Sequence, residues 1–239
     1  MLALLNAIFG IGAIAAPLVF VAIGSDPWVA YLSLAALCAV TFVLAGSVAP
    51  LARGTGAAGR FVPRPVILTF GVVAIATEVC LIGLGPTALI AQGQTETRAA
   101  ELLAMFFVVY LTARLVLVAF AGRIHPFTLF LLALAGAAVC AAGSALTGHP
   151  LWFVAIGGFT GLFFPGYYMS GTRLMGDDSR VAPTLIAAGM AGGIAGPVVV
   201  ANLVAVTGEA TFFAVVAGMT GAAALAALAM RPRMVDVRA

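Results

Sequence analysis

One acid lies alone in the middle of a long apolar run. Val66–Ala91, VILTFGVVAIATEVCLIGLGPTALIA, carries Glu78 at its midpoint and no other charge. As a helix the run extends ~39 Å, enough to cross a ~30 Å hydrocarbon core with some tilt. Glu78 then falls near the bilayer midplane. An ionised carboxylate there costs several kcal/mol, so the group must be neutral, paired or facing a wet cavity. Such a carboxyl either handles protons or ties helices together through a hydrogen bond.

Other side chains fall at related depths. Tyr110 and Thr160 are placed to hydrogen-bond Glu78. Arg114, one turn from Tyr110, either snorkels to the interface or pairs with Glu78, the only acid expected inside the membrane. Tyr167 and Tyr168 either join an interfacial belt or stack on a solute. Around Glu78, Gly71, Ala74, Ile75, Ile82 and Gly85 recur at helical spacing and serve close packing or cavity lining. Pro86 removes the donor to the carbonyl of Ile82, so Gly83 and Pro86 mark a hinge or a static bend, and Pro165 joins them as a hinge position. Asn6 and Asn202 are expected as buried amides bonded between helices.

Several chemistries are set aside. The chain has eleven arginines and no lysine, which removes a P-loop lysine and a Schiff-base lysine. His125 and His149 fall on opposite sides of the membrane and share no metal. Asp177 and Asp178 read as a solvated loop, and GxGxxA at Gly10–Ala15 lacks a βαβ unit around it. Cys38, Cys80 and Cys140 form no CxxC and are expected as free thiols. No cluster of His, Asp, Ser or Cys shares one depth, so no enzyme site, cofactor or metal is expected.

The elements that hold these residues are membrane spans. At 64% hydrophobic and 8% charged residues with mean hydropathy +1.20, the chain reads as an all-α integral membrane protein. Eight runs are predicted as transmembrane helices: Leu2–Ile23, Trp28–Ser47, Val66–Ala91, Ala100–Ala121, Phe127–Leu146, Leu151–Gly171, Pro183–Val206 and Thr211–Met230. The first lacks a preceding basic segment, unlike a signal peptide. Residues 1–47 thus form two helices, 48–65 a flexible basic linker, 66–230 a six-helix bundle and 231–239 a tail. Odd-numbered loops hold one arginine and four acids, whereas even-numbered loops and the tail hold nine arginines. Positive-inside counting places both termini in the cytoplasm of a multi-pass cell-membrane protein. The basic pI reflects that topology and gives no support to a nucleic-acid partner.

An internal repeat links the two ends. Gly12–Val19, GAIAAPLV, aligns with Gly192–Val199, GGIAGPVV, through Gly12, Ile14, Ala15 and Pro17. The second copy is preceded by four helices and the first by none. The expectation is a duplicated fold that lacks the opening four helices of its first half.

The pattern resembles the major facilitator superfamily, whose members have twelve helices in two six-helix halves. Within it the chain looks most like the fucose-permease-like sugar:proton symporters. Asn6–Val19 resembles their fifth-helix signature, and Glu78–Leu89, EVCLIGLGPTAL, their seventh-helix EVSxGGWLPTYL. Thr112–Arg114 with Gly122-Arg123 resembles the GR…R pattern of the eighth helix, and Gly161–Pro165, GLFFP, the tenth-helix G…FP segment. The resemblance covers the chain as helices five to twelve. It departs in lacking the first and fourth helices, with their acids, and the glycine-rich loop between the second and third. It implies a secondary transporter, or a fragment of one, for a small polar solute such as a sugar. Coupling to protons through Glu78 is expected, with Tyr110, Arg114, Thr160 and Tyr167 as pathway candidates. The rival reading is a non-transporting polytopic protein or an inactive remnant.

Overall fold

The computed structural model describes residues 12, 15–16, 18–24, 26–46, 59–119 and 123–235. Within these the long apolar runs are helical, and local chemistry sets the ends. Helix α1, Pro27–Ala45, starts with proline at its first turn, and Asp26 Oδ1 accepts from the Trp28 N–H at 2.8 Å. Helix α2, Pro65–Ala91, also opens on proline. Helix α3 is Glu96–Ala119, and the Thr95 hydroxyl accepts from the Arg98 N–H at 3.2 Å. Helix α4, Pro126–Thr147, is capped by the His125 ring and stops at Gly148, whose φ of 63° is left-handed. The chain then continues through α5 (Leu151–Thr160), α6 (Phe163–Met175), α7 (Val181–Thr207), a 3-10 turn (Glu209–Thr211) and α8 (Phe212–Val235).

Several boundaries differ instructively from the expectations. The fourth run begins at Glu96 rather than Ala100, because the Thr95 cap recruits Glu96 and Arg98 into a polar first turn. The sixth run, expected as one helix over Leu151–Gly171, is broken between Thr160 and Phe163 and continues to Met175. Pro165 has no N–H, so the carbonyl of Gly161 loses the donor four residues on. The Leu162 N–H instead bonds Phe159 in a tighter turn at 3.0 Å. The last helix also runs past Met230, through Pro232 to Val235.

Helices α2 to α8 pack as one bundle, with α2 against α7, α4 against α8, and α3 and α4 against α5. In a bilayer, apolar side chains gain nothing by leaving lipid, so close packing must hold helices together. On α7, Gly192 provides it: a Cβ there would run into the Val72 carbonyl of α2. Aromatic rings fill the centre, with Phe70, Phe127, Phe130 and Phe163 meeting edge to face. Outside, α7 exposes Ile186, Met190, Ile194 and Val198, a surface suited to lipid. Counting α5 and α6 as one span, seven described segments are long and apolar enough to cross a membrane. Helix α1 is one of them, yet none of its window is buried.

Other expectations need correction. Asn202 is exposed and donates to the Val198 carbonyl of its own helix at 2.7 Å, so it makes no interhelical bond there; Asn6 lies outside the described residues. Residues 59–64 of the linker are docked rather than free. The Val62 N–H donates to Met175 O at 2.9 Å and the Arg60 N–H to Asp177 Oδ1 at 3.0 Å. Asp178 is 7% exposed and held by Arg180, whose guanidinium lies 4.6 Å from the Phe61 ring centroid. The two aspartates therefore organise a loop that receives the linker.

Candidate functional site

Tyr110 and Arg114 sit one turn apart on α3, so both project from one face. Glu78 approaches from α2. The Tyr110 hydroxyl donates to Glu78 Oε1 at 2.6 Å and accepts from Arg114 Nη2. Arg114 Nε donates to the carbonyl of Gly161 at 3.0 Å, and its guanidinium lies 4.3 Å from the Tyr110 ring centroid. Four groups on three elements thus form one chain of hydrogen bonds.

The sequence makes this geometry possible in two places. Gly157 and Gly161 are four apart, and α3 lies directly over both: a Cβ on Gly161 would stand 2.6 Å from the Tyr110 carbonyl oxygen. Any larger residue would push α3 away and carry Arg114 out of reach. Moreover, Gly161 O is the carbonyl that Pro165 leaves without a helical donor. Arg114 supplies a side-chain donor in place of the missing backbone one.

The site is largely dry. Tyr110 is 2% exposed, and Glu78 Oε2 is buried with no hydrogen-bond partner among the described residues. Tyr110 has one hydroxyl proton, which goes to Oε1. The second carboxyl oxygen is therefore the atom left to carry a proton. With Glu78 ionised, the formal charges of Glu78 and Arg114 cancel across the tyrosine.

The remaining candidates land elsewhere. Thr160 donates to Ile156 O at 3.1 Å and Gly157 O at 3.2 Å, so its own helix claims the hydroxyl expected for Glu78. Tyr167 is fully buried, with its hydroxyl on Leu185 O at 3.0 Å and its ring against Gly71. It ties α6 to α7 and presents no face to an interface or a solute in this conformation. Gly85 lies under the Phe153 ring, so that part of the small-residue face serves packing. Gly83 is exposed with open space beside it. Pro86 lies inside a continuous α2 and, with Phe20, Ile82, Leu103 and Phe107, lines an apolar cavity of about 570 Å³ toward the C-terminal end of α2. Pro165 sits in the first turn of α6, beside the break.

The one participant missed by reading side chains was a backbone carbonyl, that of Gly161. Its signal was present: a proline four residues downstream and an arginine inside an apolar run. Among the described residues no group of His, Cys, Asp and Glu is placed to hold a metal, and the cysteines are free thiols, with Cys38 exposed and Cys80 and Cys140 buried. The chain is therefore read from its own geometry, as an all-helical protein compatible with a polytopic membrane protein, since no protein-family model, curated protein or solved structure matches it.

Proposed function

We propose that this protein is a secondary active transporter, or part of one, that moves a small polar solute in exchange with or alongside protons. The observation that carries the reading is Glu78: a mid-span carboxyl with one oxygen bonded by Tyr110 and the other buried without a partner. A purely structural acid would be expected to satisfy both oxygens, because an unmet buried acceptor is costly. Here the free oxygen suits a proton that comes and goes, while Tyr110 and Arg114 hold the carboxyl in place. The repeat and the glycine- and proline-bearing helices support a major-facilitator-like architecture working by alternating access. The partners on this reading are the bilayer, protons, a solute of the sugar class, and the further four helices that complete the first half of such a fold.

The test is uptake by the full chain in liposomes, with radiolabelled fucose, galactose and xylose offered under an inward proton gradient. Accumulation of one of them that a protonophore collapses is the expected result. Glu78→Gln keeps the shape of the protonated acid but cannot titrate, so it should lose accumulation while retaining solute exchange. Accumulation by Glu78→Gln at the parent rate at every external pH tested would overturn the role of Glu78. Absence of uptake of all three sugars would overturn the sugar class.

A further inference from the structure

The proton site and the break in the sixth span are joined by a single side chain, and the two ends of that connection have opposite needs. At one end, Arg114 is bonded through Tyr110 to Glu78, whose charge balances that of the guanidinium when the carboxyl is ionised. At the other, Arg114 Nε is the donor to Gly161 O, the carbonyl orphaned by Pro165. Among the described residues, the groups facing Arg114 that carry charge or titrate are Glu78 from α2 and Tyr110 from α3 itself. Helix α5 has none. On α6, Tyr167 is committed to Leu185 O, Tyr168 stacks on Phe164 at 5.4 Å, and Arg173 lies in the last turn near His125.

We propose that Arg114 is the switch that transmits the protonation state of Glu78 to the α5–α6 break. When a proton occupies Glu78 Oε2, the acid no longer neutralises Arg114. A cation inside a span then favours the interface, where its long stem lets it snorkel to water. Leaving Gly161 removes the side-chain donor that replaces the missing backbone N–H, and a dry carbonyl without a donor is unfavourable. The turn at Gly161-Leu162 must then rearrange. Deprotonation restores the charge pairing and brings Arg114 back. Proton loading is thereby converted into opening and closing of a helix break, with no covalent bond made or broken besides the O–H on Glu78. This inference rests on the proton-carrying role given to Glu78 above, but not on the identity of any solute.

The experiment is hydrogen exchange over residues 157–166 in the purified full chain in lipid nanodiscs, without solute. Arg114→Ala should raise exchange there by about tenfold, the loss of one buried hydrogen bond. Arg114→Lys keeps the charge but loses the planar fork, and should fall between. Glu78→Gln should raise exchange to the level the parent shows at low pH, and should remove the pH response left after correction for intrinsic exchange. The decisive variant is Pro165→Ala, which returns an N–H to Gly161 O. In that background Arg114→Ala should have no further effect on the segment. If Arg114→Ala raises exchange equally with and without Pro165, or leaves it unchanged in the parent, the switch is overturned. Transport arms separate the two readings: a Glu78-dependent exchange response without proton-driven uptake removes the transporter and keeps the switch. Proton-driven uptake with exchange indifferent to Glu78 does the reverse.

Discussion

Tyr110 is the residue on which the site turns, because one hydroxyl serves both charges. It gives its proton to Glu78 and its lone pair to Arg114. Tyr110→Phe removes both roles while keeping the ring that packs against Phe106 and Phe107. The cost should be about 1–3 kcal/mol, since a buried carboxyl oxygen and a guanidinium each lose a partner. Thermal unfolding in detergent reads that loss, and proton-driven accumulation should fall with it. A Tyr110→Phe protein as stable as the parent would show that the carboxyl had found another donor. How much of this was legible beforehand divides cleanly. Glu78, Tyr110 and Arg114 stood out because charge and phenol inside an apolar run are conspicuous. Thr160 was misplaced because a hydroxyl in a helix has a competing acceptor one turn back, which depth matching ignores. Tyr167 was ambiguous for a related reason: sequence gives its height in the membrane but not the glycine, Gly71, that lets its ring turn inward.

At the scale of elements, helix ends followed from cap chemistry, whereas the helix break followed from one missing N–H. His125 shows what such a cap is exposed to. Its Nδ1 accepts from the Phe127 N–H at 3.3 Å, which requires an unprotonated nitrogen. Burial holds the ring below its ordinary value of 6.5, and the nearby cations Arg173 and Arg231 push the same way. A histidine whose folded pKa is depressed binds fewer protons folded than unfolded, so stability rises with pH through that window. The stability given by this cap is therefore full above pH 6.5 and declines as pH drops below it. Melting temperature measured from about pH 8 down to pH 5 should fall below the ordinary histidine value, and His125→Asn, which caps without titrating, should flatten that fall. Asp178 does not confound the range, because its hydrogen bonds with Arg180 hold its carboxyl below the usual aspartate value of 3.8. The α2–α7 seam has a different weakness. Gly192→Leu places a side chain against the Val72 backbone, which cannot step aside as a side chain would. Destabilisation at or above about 3 kcal/mol is expected, seen as a lower melting temperature or loss of a monodisperse peak.

At the scale of the whole molecule, hydropathy made the described spans legible, while their packing partners were not. Periodicity says that a helix is apolar all round; it does not say that α2 will lie along α7, which depends on small residues meeting across two sequence-distant runs. The packing does sort the loops into two faces. On one, Arg173 and Arg231 lie near His125, and the linker at Arg60 meets the loop at Asp177. On the other, Gln92 reaches the Ser144 carbonyl at 3.3 Å, and Arg98 is paired with Glu101 at 2.8 Å. The basic excess therefore belongs to the first face, and the positive-inside rule proposes that face as the cytoplasmic one. Single cysteines at four exposed positions test the assignment, in a background lacking Cys38, Cys80 and Cys140. In intact cells an impermeant thiol reagent should label Asp26→Cys and Thr97→Cys. Arg60→Cys and Ser179→Cys should stay unlabelled until the membrane is permeabilised. The reverse pattern would invert the topology, and with it the direction in which Glu78 meets protons. Labelling of Asp26→Cys together with Ser179→Cys, and of neither other site, would break the eight-span order itself, because those positions are separated by an odd number of predicted spans.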